Sequence, residues 1–204
     1  SLKKEKDIIE NKLFHSFDLI GKSPSIIKIK KTIEKLSSVE SRILITGETG
    51  TGKELVARKI HKNSTRSKNP FIVLNGALLQ PDNYEHELFG SENTDGSVTY
   101  GFLEKAANGT LLIDEVSEIP LDTQAKILRV LIDQKFKRIN GNHDINVDVR
   151  IFSSTSKDIN NEIRNGNFRE DLFHRLNVFN IKLDSLNKRI NDIPILFEYF
   201  MDKL

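Results

Sequence analysis

One short glycine-rich segment constrains this chain more than any other part of its sequence. Residues 47–54 read Gly-Glu-Thr-Gly-Thr-Gly-Lys-Glu and lie between an apolar run at 43–45 and a helical pattern at 55–60. Glycines let backbone N–H groups approach an anion, and the first turn of a helix adds partial positive charge. The strand, the turn and the helix therefore predict a phosphate-binding loop in an α/β fold.

The spacing of this loop matches the P-loop pattern G-x-x-x-x-G-K at Gly47, Gly52 and Lys53. Lys53 can reach the outer phosphates of a nucleotide, but Glu54 stands where the general pattern has Ser or Thr for Mg²⁺. A chance glycine-rich turn is the alternative, and the flanking strand and helix argue against it. The candidate nucleotide-binding residues are Gly47, Glu48, Thr49, Gly50, Thr51, Gly52, Lys53, Glu54 and Leu55.

A second motif lies downstream, where the apolar run Thr110-Leu111-Leu112-Ile113 ends in Asp114 and Glu115. In P-loop enzymes a carboxylate at the end of a buried strand holds Mg²⁺, directly or through water. A second carboxylate beside it can orient or deprotonate the attacking water. We assign the metal role to Asp114 and the water role to Glu115. A solvated strand end is the alternative for an isolated Asp-Glu pair, but its combination with the P-loop indicates hydrolysis of a nucleoside triphosphate, ATP with Mg²⁺.

Composition excludes several other classes of protein. The 204 residues suffice for one core and the start of a second unit, and a net charge of +2 does not favour nucleic-acid binding by this segment. The absence of cysteine excludes disulfides, zinc–thiolate sites and cysteine nucleophiles. No apolar run approaches a membrane span and no signal-peptide pattern is present, so we expect a cytoplasmic protein with no membrane partner.

Short apolar strands alternate with helices along the chain, which predicts a mostly parallel sheet flanked by helices on both faces. The predicted strands are 43–45, 71–74, 111–113, 149–152 and 178–181. One helix should begin at Ser23-Pro24 with Ile26, Ile29, Ile33 and Leu36 on its apolar face. A helix over 121–134 should bury Leu121, Ala125, Leu128 and Leu131. A hairpin is predicted around Gly141-Asn142, and another helix over 190–204.

Taken in order, these motifs resemble the central AAA+ domain of bacterial enhancer-binding proteins, the activators of σ54 RNA polymerase. The resemblance runs from about Leu19 to the end and includes the P-loop with its Glu54, the usual residue there in this family. Within the family the chain looks most like NtrX-type response regulators, in which the loop that contacts σ54 is degenerate. The other matching segments are 19–24, 71–75, 87–90, 109–115, 149–152, 168–178 and 192–194.

The resemblance implies roles for residues that the two motifs do not explain. Ile20 and Gly21 would line the adenine pocket, and Asn75 would hold Glu115 away from water until the site is ready. Ser156 occupies the sensor I position and would contact nucleotide. Arg169 and Arg175 would be arginine fingers that reach the neighbouring subunit's nucleotide. For these two arginines, surface salt bridges to acidic residues of their own helix are the alternative.

The resemblance also implies a domain organisation and a set of partners. Residues 1–18 would be a linker or helix from an upstream domain, typically a receiver. Residues 19–184 would form the AAA+ α/β subdomain, and 185–204 the truncated start of a helical lid. The expected partners are copies of the same chain in a ring of six or seven, DNA through a C-terminal domain, and a sensor kinase through the receiver. Contact with RNA polymerase or a sigma factor stays open.

Two departures from the family pattern leave alternatives for the function. Residues 91–101 lack the family's Gly-Ala-Phe-Thr-Gly-Ala loop, which argues against σ54 remodelling, and Ser156 replaces the usual asparagine. The first hypothesis is a ring-forming ATPase coupled to transcription control. The second is a scaffold that uses nucleotide to set its assembly on DNA, with little or no hydrolysis. A different P-loop enzyme, such as a kinase or a clamp loader, is the third and the least favoured.

Overall fold

A computed structural model describes residues 18–202, and a five-stranded sheet organises them. The strands among these residues are β1 Ile43–Thr46, β2 Phe71–Asn75, β3 Gly90–Glu92, β4 Val98–Tyr100, β5 Thr110–Asp114, β6 Lys135–Phe136, β7 Ile145–Asn146, β8 Arg150–Thr155 and β9 Phe179–Lys182. The large sheet has the order β2-β5-β8-β1-β9, and its neighbouring strands all pair in parallel. The carboxyl ends of its strands therefore meet along one edge.

Helices cover both faces of this sheet. They are α1 Pro24–Ser37, α2 Lys53–Lys62, α3 Tyr84–Phe89, α4 Phe102–Lys105, α5 Leu121–Asp133, α6 Ile159–Arg164, α7 Glu170–Leu176 and α8 Ile193–Met201. Alternate strand residues point to opposite faces, so Ile43 and Ile45 pack in the core under α1 and α2 whereas Leu44 packs in the core on the other face. The predicted α/β architecture, with a parallel sheet between two helical layers, is confirmed.

Helix α1 follows its sequence prediction closely. The Ser23 hydroxyl accepts a hydrogen bond from the Ile26 N–H at 3.4 Å, as an N-cap does. All four predicted apolar positions are buried: Ile26, Ile29, Ile33 and Leu36. The periodicity was decisive here because the helix packs on the sheet along one stripe.

Helix α5 forms where it was expected, but part of its predicted apolar face was wrong. Leu121 is 44% exposed, whereas the polar Gln124 is fully buried. The Gln124 amide donates to the backbone oxygens of Ile119 at 2.7 Å and Asn167 at 3.0 Å, and its Oε1 accepts from the Arg169 N–H at 2.9 Å. These three hydrogen bonds satisfy the polar atoms of the buried amide, so that a polar residue can lie on the buried side of the helix.

Strands β6 and β7 form the predicted hairpin, but each has only two residues. Strands β3 and β4 pair antiparallel and form a second two-stranded unit, the β3–β4 ribbon. The first arm of the hairpin stops pairing with β7 after Phe136, because Ile139 bonds instead to this ribbon. The Ile139 N–H donates to Gly90 O at 3.0 Å, and its carbonyl accepts from the Glu92 N–H at 2.9 Å. The two-stranded units β3–β4 and β6–β7 are thus joined at the surface.

The last helix is shorter than the predicted one. A 3-10 turn spans Ile190–Asp192 and α8 begins only at Ile193, because Asp192 is fully buried and bonds to the segment before α1. Its carboxylate accepts from the backbone N–H groups of Lys22 and Ser23 at 2.7 and 2.9 Å, and from the Ser23 hydroxyl at 2.6 Å. The boundaries 1–18, 19–184 and 185–204 stay predictions, and residues 1–17 lie outside the described part. None of the helices between residues 18 and 202 has the length and apolarity that a membrane crossing requires.

Candidate nucleotide-binding site

The glycine-rich loop connects β1 to α2 at the carboxyl edge of the sheet. Gly50 and Gly52 have φ angles of +80° and +97°, which residues with a side chain rarely adopt. The Thr51 N–H donates to Glu48 O at 3.3 Å, so the loop closes on itself. Helix α2 begins at Lys53 and runs for ten residues. Its free N–H groups and its dipole face the loop, which is the geometry of an anion site.

Lys53 lies at the centre of the site and is only 7% exposed. Its ammonium donates to the backbone oxygens of Gly47 at 3.0 Å and Glu48 at 3.3 Å. It also pairs with Glu115 Oε1 at 3.1 Å. An ammonium has three N–H donors, so these three partners occupy all of them.

Glu115 bridges Lys53 and the end of β8. Its Oε2 accepts hydrogen bonds from both the N–H and the hydroxyl of Ser156, each at 2.8 Å. The residue has φ of 52° and ψ of 53°, a left-handed conformation that is uncommon for non-glycine residues. Burial works to raise the pKa of Glu115, but the hydrogen bonds from Ser156 and the charge of Lys53 outweigh it and lower the pKa. The carboxylate is therefore held in its charged form.

Asp114 ends β5 beside this pair, and the Ser154 hydroxyl donates to its Oδ1. No group of three acidic or histidine side chains suited to a metal occurs among residues 18–202. Mg²⁺ needs no such cage at a nucleotide site, because it binds through one or two carboxylates together with phosphate oxygens and water. Asp114 at the strand end fits the carboxylate share of that arrangement.

Asn75 ends β2 in register with Asp114, which brings it to the same edge. Its Oδ1 accepts from the Ala77 N–H at 2.9 Å. Within residues 18–202 no hydrogen bond joins Asn75 to Glu115, whose side-chain partners are Ser156 and Lys53. The role implied for Asn75 stays a prediction.

A cavity of about 530 Å³ extends from the P-loop toward the C-terminal segment. Leu19 and Ile20 line it at one side, and Glu48–Gly52 and Leu55 line the loop side. Gly21 lies behind it, where a Cβ would come within 2.7 Å of the Asp192 carboxylate. Sequence reasoning missed the opposite wall, which includes Ser185, Asn187, Arg189, Leu196, Tyr199 and Phe200. The apolar residues at 196, 199 and 200 recur at helical spacing, and this was the available signal.

Three predicted site residues have side chains that lie apart from this cluster. Glu54 is exposed and pairs with Arg58 one helical turn later, at 2.6 Å. Arg169 makes two hydrogen bonds to the Asp171 carboxylate, at 3.0 and 2.7 Å, so the salt bridge of the alternative interpretation is present. Arg175 is exposed in the last turn of α7 and makes no ion pair within residues 18–202.

A P-loop on a parallel sheet, with a carboxylate pair at the end of a central strand, defines a P-loop NTPase of the AAA+ type. The family model described as "Sigma-54 interaction domain" matches residues 19–182, so the chain belongs to that family. The nitrogen assimilation regulatory protein NtrX of Azorhizobium caulinodans is 45% identical over 185 residues, which are 90% of this chain and 41% of that protein.

Solved structures of NtrX from Brucella abortus superpose closely on this chain. The structure in complex with ATP has a TM-score of 0.90 and 45% identity, and covers 98% of this chain and 46% of that one. The structure in complex with ADP has a TM-score of 0.90 and 43% identity, with the same coverage. The chain thus spans less than half the length of these relatives. The family and the regulator class that the sequence indicated are confirmed.

Proposed function

We propose that this domain binds ATP with Mg²⁺ in the P-loop cavity and hydrolyses it within a ring of identical subunits, coupled to the control of transcription. One observation carries the proposal. The Lys53 ammonium and the Glu115 carboxylate are in contact at 3.1 Å beside the P-loop. The cation that would bind the phosphates and the carboxylate that would orient water therefore lie at the same place. The ATP and ADP complexes of the Brucella relative support nucleotide binding at this pocket.

Each residue of the site has a distinct part in this mechanism. Lys53 and the N–H groups of the P-loop bind the β- and γ-phosphates, and Glu115 orients the water that attacks the γ-phosphorus. Asp114 would hold Mg²⁺, which would supply neutralisation of the charge that develops on the phosphate oxygens. Ile20 and the C-terminal wall of the cavity exclude water around the adenine ring, which fixes the nucleotide's orientation.

Arg169 and Arg175 would complete the site from the adjacent subunit. Both are exposed and neither bonds to the P-loop or to Glu115 of its own chain within residues 18–202. An arginine finger stabilises the charge of the transition state and is worth about 10³–10⁵ in rate. Arg175 has no ion pair to break among the described residues, whereas Arg169 must leave Asp171. Hydrolysis by this mechanism requires assembly.

A scaffold that binds nucleotide without turnover is the second candidate, and the β3–β4 ribbon favours it. Its tip is a closed polar turn in which the Asn93 N–H donates to Ser97 O at 2.9 Å and the Ser97 N–H donates to Asp95 Oδ1 at 2.8 Å. A turn of this kind, at the position of the family's σ54-contacting loop, offers no apolar tip to a sigma factor. Nucleotide would then set the spacing of DNA-binding domains elsewhere in the full protein.

Phosphate release from ATP, measured against concentration of the full-length protein, separates the two candidates. A specific rate that rises with concentration, and that falls to background in Lys53→Ala and Arg175→Ala, is the result expected of the ring ATPase. Lys182→Ala, which removes an exposed charge at the end of β9, is the control and should retain the parent rate. Binding of ATP with no turnover at any concentration would overturn the ATPase and support the scaffold.

A further inference from the structure

The phosphate-binding lysine has a complete set of partners within its own chain. Two of its three donors bond to backbone oxygens of its own loop, and the third bonds to Glu115 Oε1 at 3.1 Å. A terminal phosphate that binds Lys53 must therefore compete with the Glu115 carboxylate for the ammonium. The free energy of ATP binding includes the cost of breaking that ion pair.

The position of this carboxylate depends on one residue at the end of β8. Ser156 donates two hydrogen bonds to Glu115 Oε2, one from its N–H and one from its hydroxyl, both at 2.8 Å. The two oxygens of Glu115 thus have separate tasks, since Oε1 faces Lys53 and Oε2 faces Ser156. Hydrogen bonds to an ionised group are stronger than those between neutral groups, so the Ser156 hydroxyl contributes substantially to holding the Glu115 carboxylate.

We propose that Ser156 is a positioning residue that holds the Glu115 carboxylate against the Lys53 ammonium, which makes the carboxylate a competitor of the terminal phosphates for the lysine. The proposal rests on the nucleotide-binding part of the proposed function. It differs from a role in which Ser156 contacts nucleotide, because Ser156 then acts through Glu115 alone. In this proposal Ser156 restrains Glu115, a role that the family resemblance implies for Asn75.

The same contact has a second consequence once ATP is bound. When the phosphates take Lys53, Glu115 Oε1 is released while Oε2 stays with Ser156. The carboxylate then pivots about the serine and remains close to the γ-phosphate, where it can orient water. Loss of the hydroxyl should consequently favour binding and impair turnover, and a merely structural role would not produce opposite signs.

Calorimetric titration of the protein with ATP, ADP and AMP tests this inference through Ser156→Ala. We expect ATP to bind about three- to tenfold more tightly than to the parent, since part of the competing hold is removed. The gain should be smaller for ADP and absent for AMP, because Lys53 serves the β- and γ-phosphates. Ser156→Thr keeps both donors and should restore the parent affinities.

Ser153→Ala is the matched control, since it removes a hydroxyl from the same strand that has no hydrogen-bond partner in the described part of the chain. Its nucleotide affinities should equal those of the parent. Weaker or unchanged ATP binding by Ser156→Ala, with a melting temperature equal to the parent's, would overturn the proposal. If the full-length parent shows no turnover but Ser156→Ala binds ATP more tightly, the hydrolysis in the proposed function fails while the inference about Ser156 stands.

Discussion

The nucleotide site and the β3–β4 ribbon are held by different kinds of contact. At the site, Lys53, Asp114, Glu115 and Ser156 lie at or next to the ends of elements that the sheet brings to one edge. The ribbon is joined to α4 by the side chain of one residue, Arg138, through Glu92 and Glu104, and to the β6–β7 hairpin by the backbone of Ile139. Substitutions can therefore alter the ribbon without altering the sheet edge on which the site depends.

Arg138 shows how the ribbon is held. Its guanidinium makes a two-point contact with the Glu104 carboxylate at 2.9 and 2.6 Å, and donates to Glu92 Oε1 at 2.9 Å. It also lies over the Tyr100 ring, 5.4 Å from the ring centroid. One residue thus connects both strands of the ribbon to α4. Because the ribbon and the nucleotide site share none of these contacts, we expect a substitution in one region to leave the other unchanged. Each prediction below tests this independence.

The largest effect is expected from Glu115→Gln at the nucleotide site. The amide cannot serve as a base, so turnover of ATP should fall by about 10²–10⁴ while ATP still binds. Phosphate release and calorimetry of the full-length protein measure the two effects. Glu118→Gln, which removes an exposed partner of Lys157, is the matched control and should keep the parent rate. A parent-like rate in Glu115→Gln would show that this carboxylate does not orient water.

The second prediction concerns Asp192, which joins the C-terminal wall of the cavity to the segment before α1. Asp192→Ala would leave the buried N–H of Ser23 and the partly buried N–H of Lys22 without a partner, and should lower the free energy of unfolding by about 2–4 kcal/mol. Urea unfolding measures this loss, and ATP affinity should fall with it because Ile20 lies next to the displaced segment. Unchanged stability would contradict the contact.

Asp192 also gives this part of the protein a pH dependence. Burial acts to raise the pKa of Asp192, but the bonds from Ser23 and Lys22 and the charge of Arg189 outweigh it and lower the pKa. A carboxyl group whose pKa is lowered by folding stabilises the folded state at pH values above its pKa in the unfolded chain. This contribution is lost as the pH falls through its pKa in the folded protein. The stability difference between the parent and Asp192→Ala should therefore be full at neutral pH and shrink in acid below about pH 4.

The third prediction applies to the ribbon. Arg138→Gln leaves Glu92 and Glu104 without their cation and should cost about 1–2 kcal/mol of stability, while the ATP affinity stays at the parent value. Lys135→Gln, which removes an exposed pair with Asp144, is the control and should leave stability unchanged within error. If Arg138→Gln is fully folded under the assay conditions and still binds ATP more weakly than the parent, the two regions are coupled.

The sequence predicted those parts of the molecule whose contacts are local. The P-loop was readable because Gly50 and Gly52 supply a backbone conformation within a few residues of Lys53, and α1 because its four apolar residues share one stripe. Gln124 was misjudged because its three partners are backbone groups of a loop and of α7, which no periodicity encodes. The hold of Ser156 on Glu115 was equally hidden, since it depends on the left-handed backbone at Glu115 and on the pairing of β5 with β8.

The smallest effect is expected at Ser153, where the polar network of the site ends. The next three residues of β8 and its extension all use their hydroxyls: Ser154 bonds Asp114, Thr155 bonds Ser117 at 2.8 Å, and Ser156 bonds Glu115. The Ser153 hydroxyl is fully buried and has no partner among residues 18–202. A buried hydroxyl without a hydrogen bond costs free energy, so Ser153→Ala should raise the free energy of unfolding by about 0.5–1 kcal/mol and leave nucleotide affinity unchanged. Urea unfolding and ATP titration measure both. A loss of more than about 1 kcal/mol would mean that the hydroxyl bonds an ordered water, and the polar network of the site would then extend one residue further into the sheet.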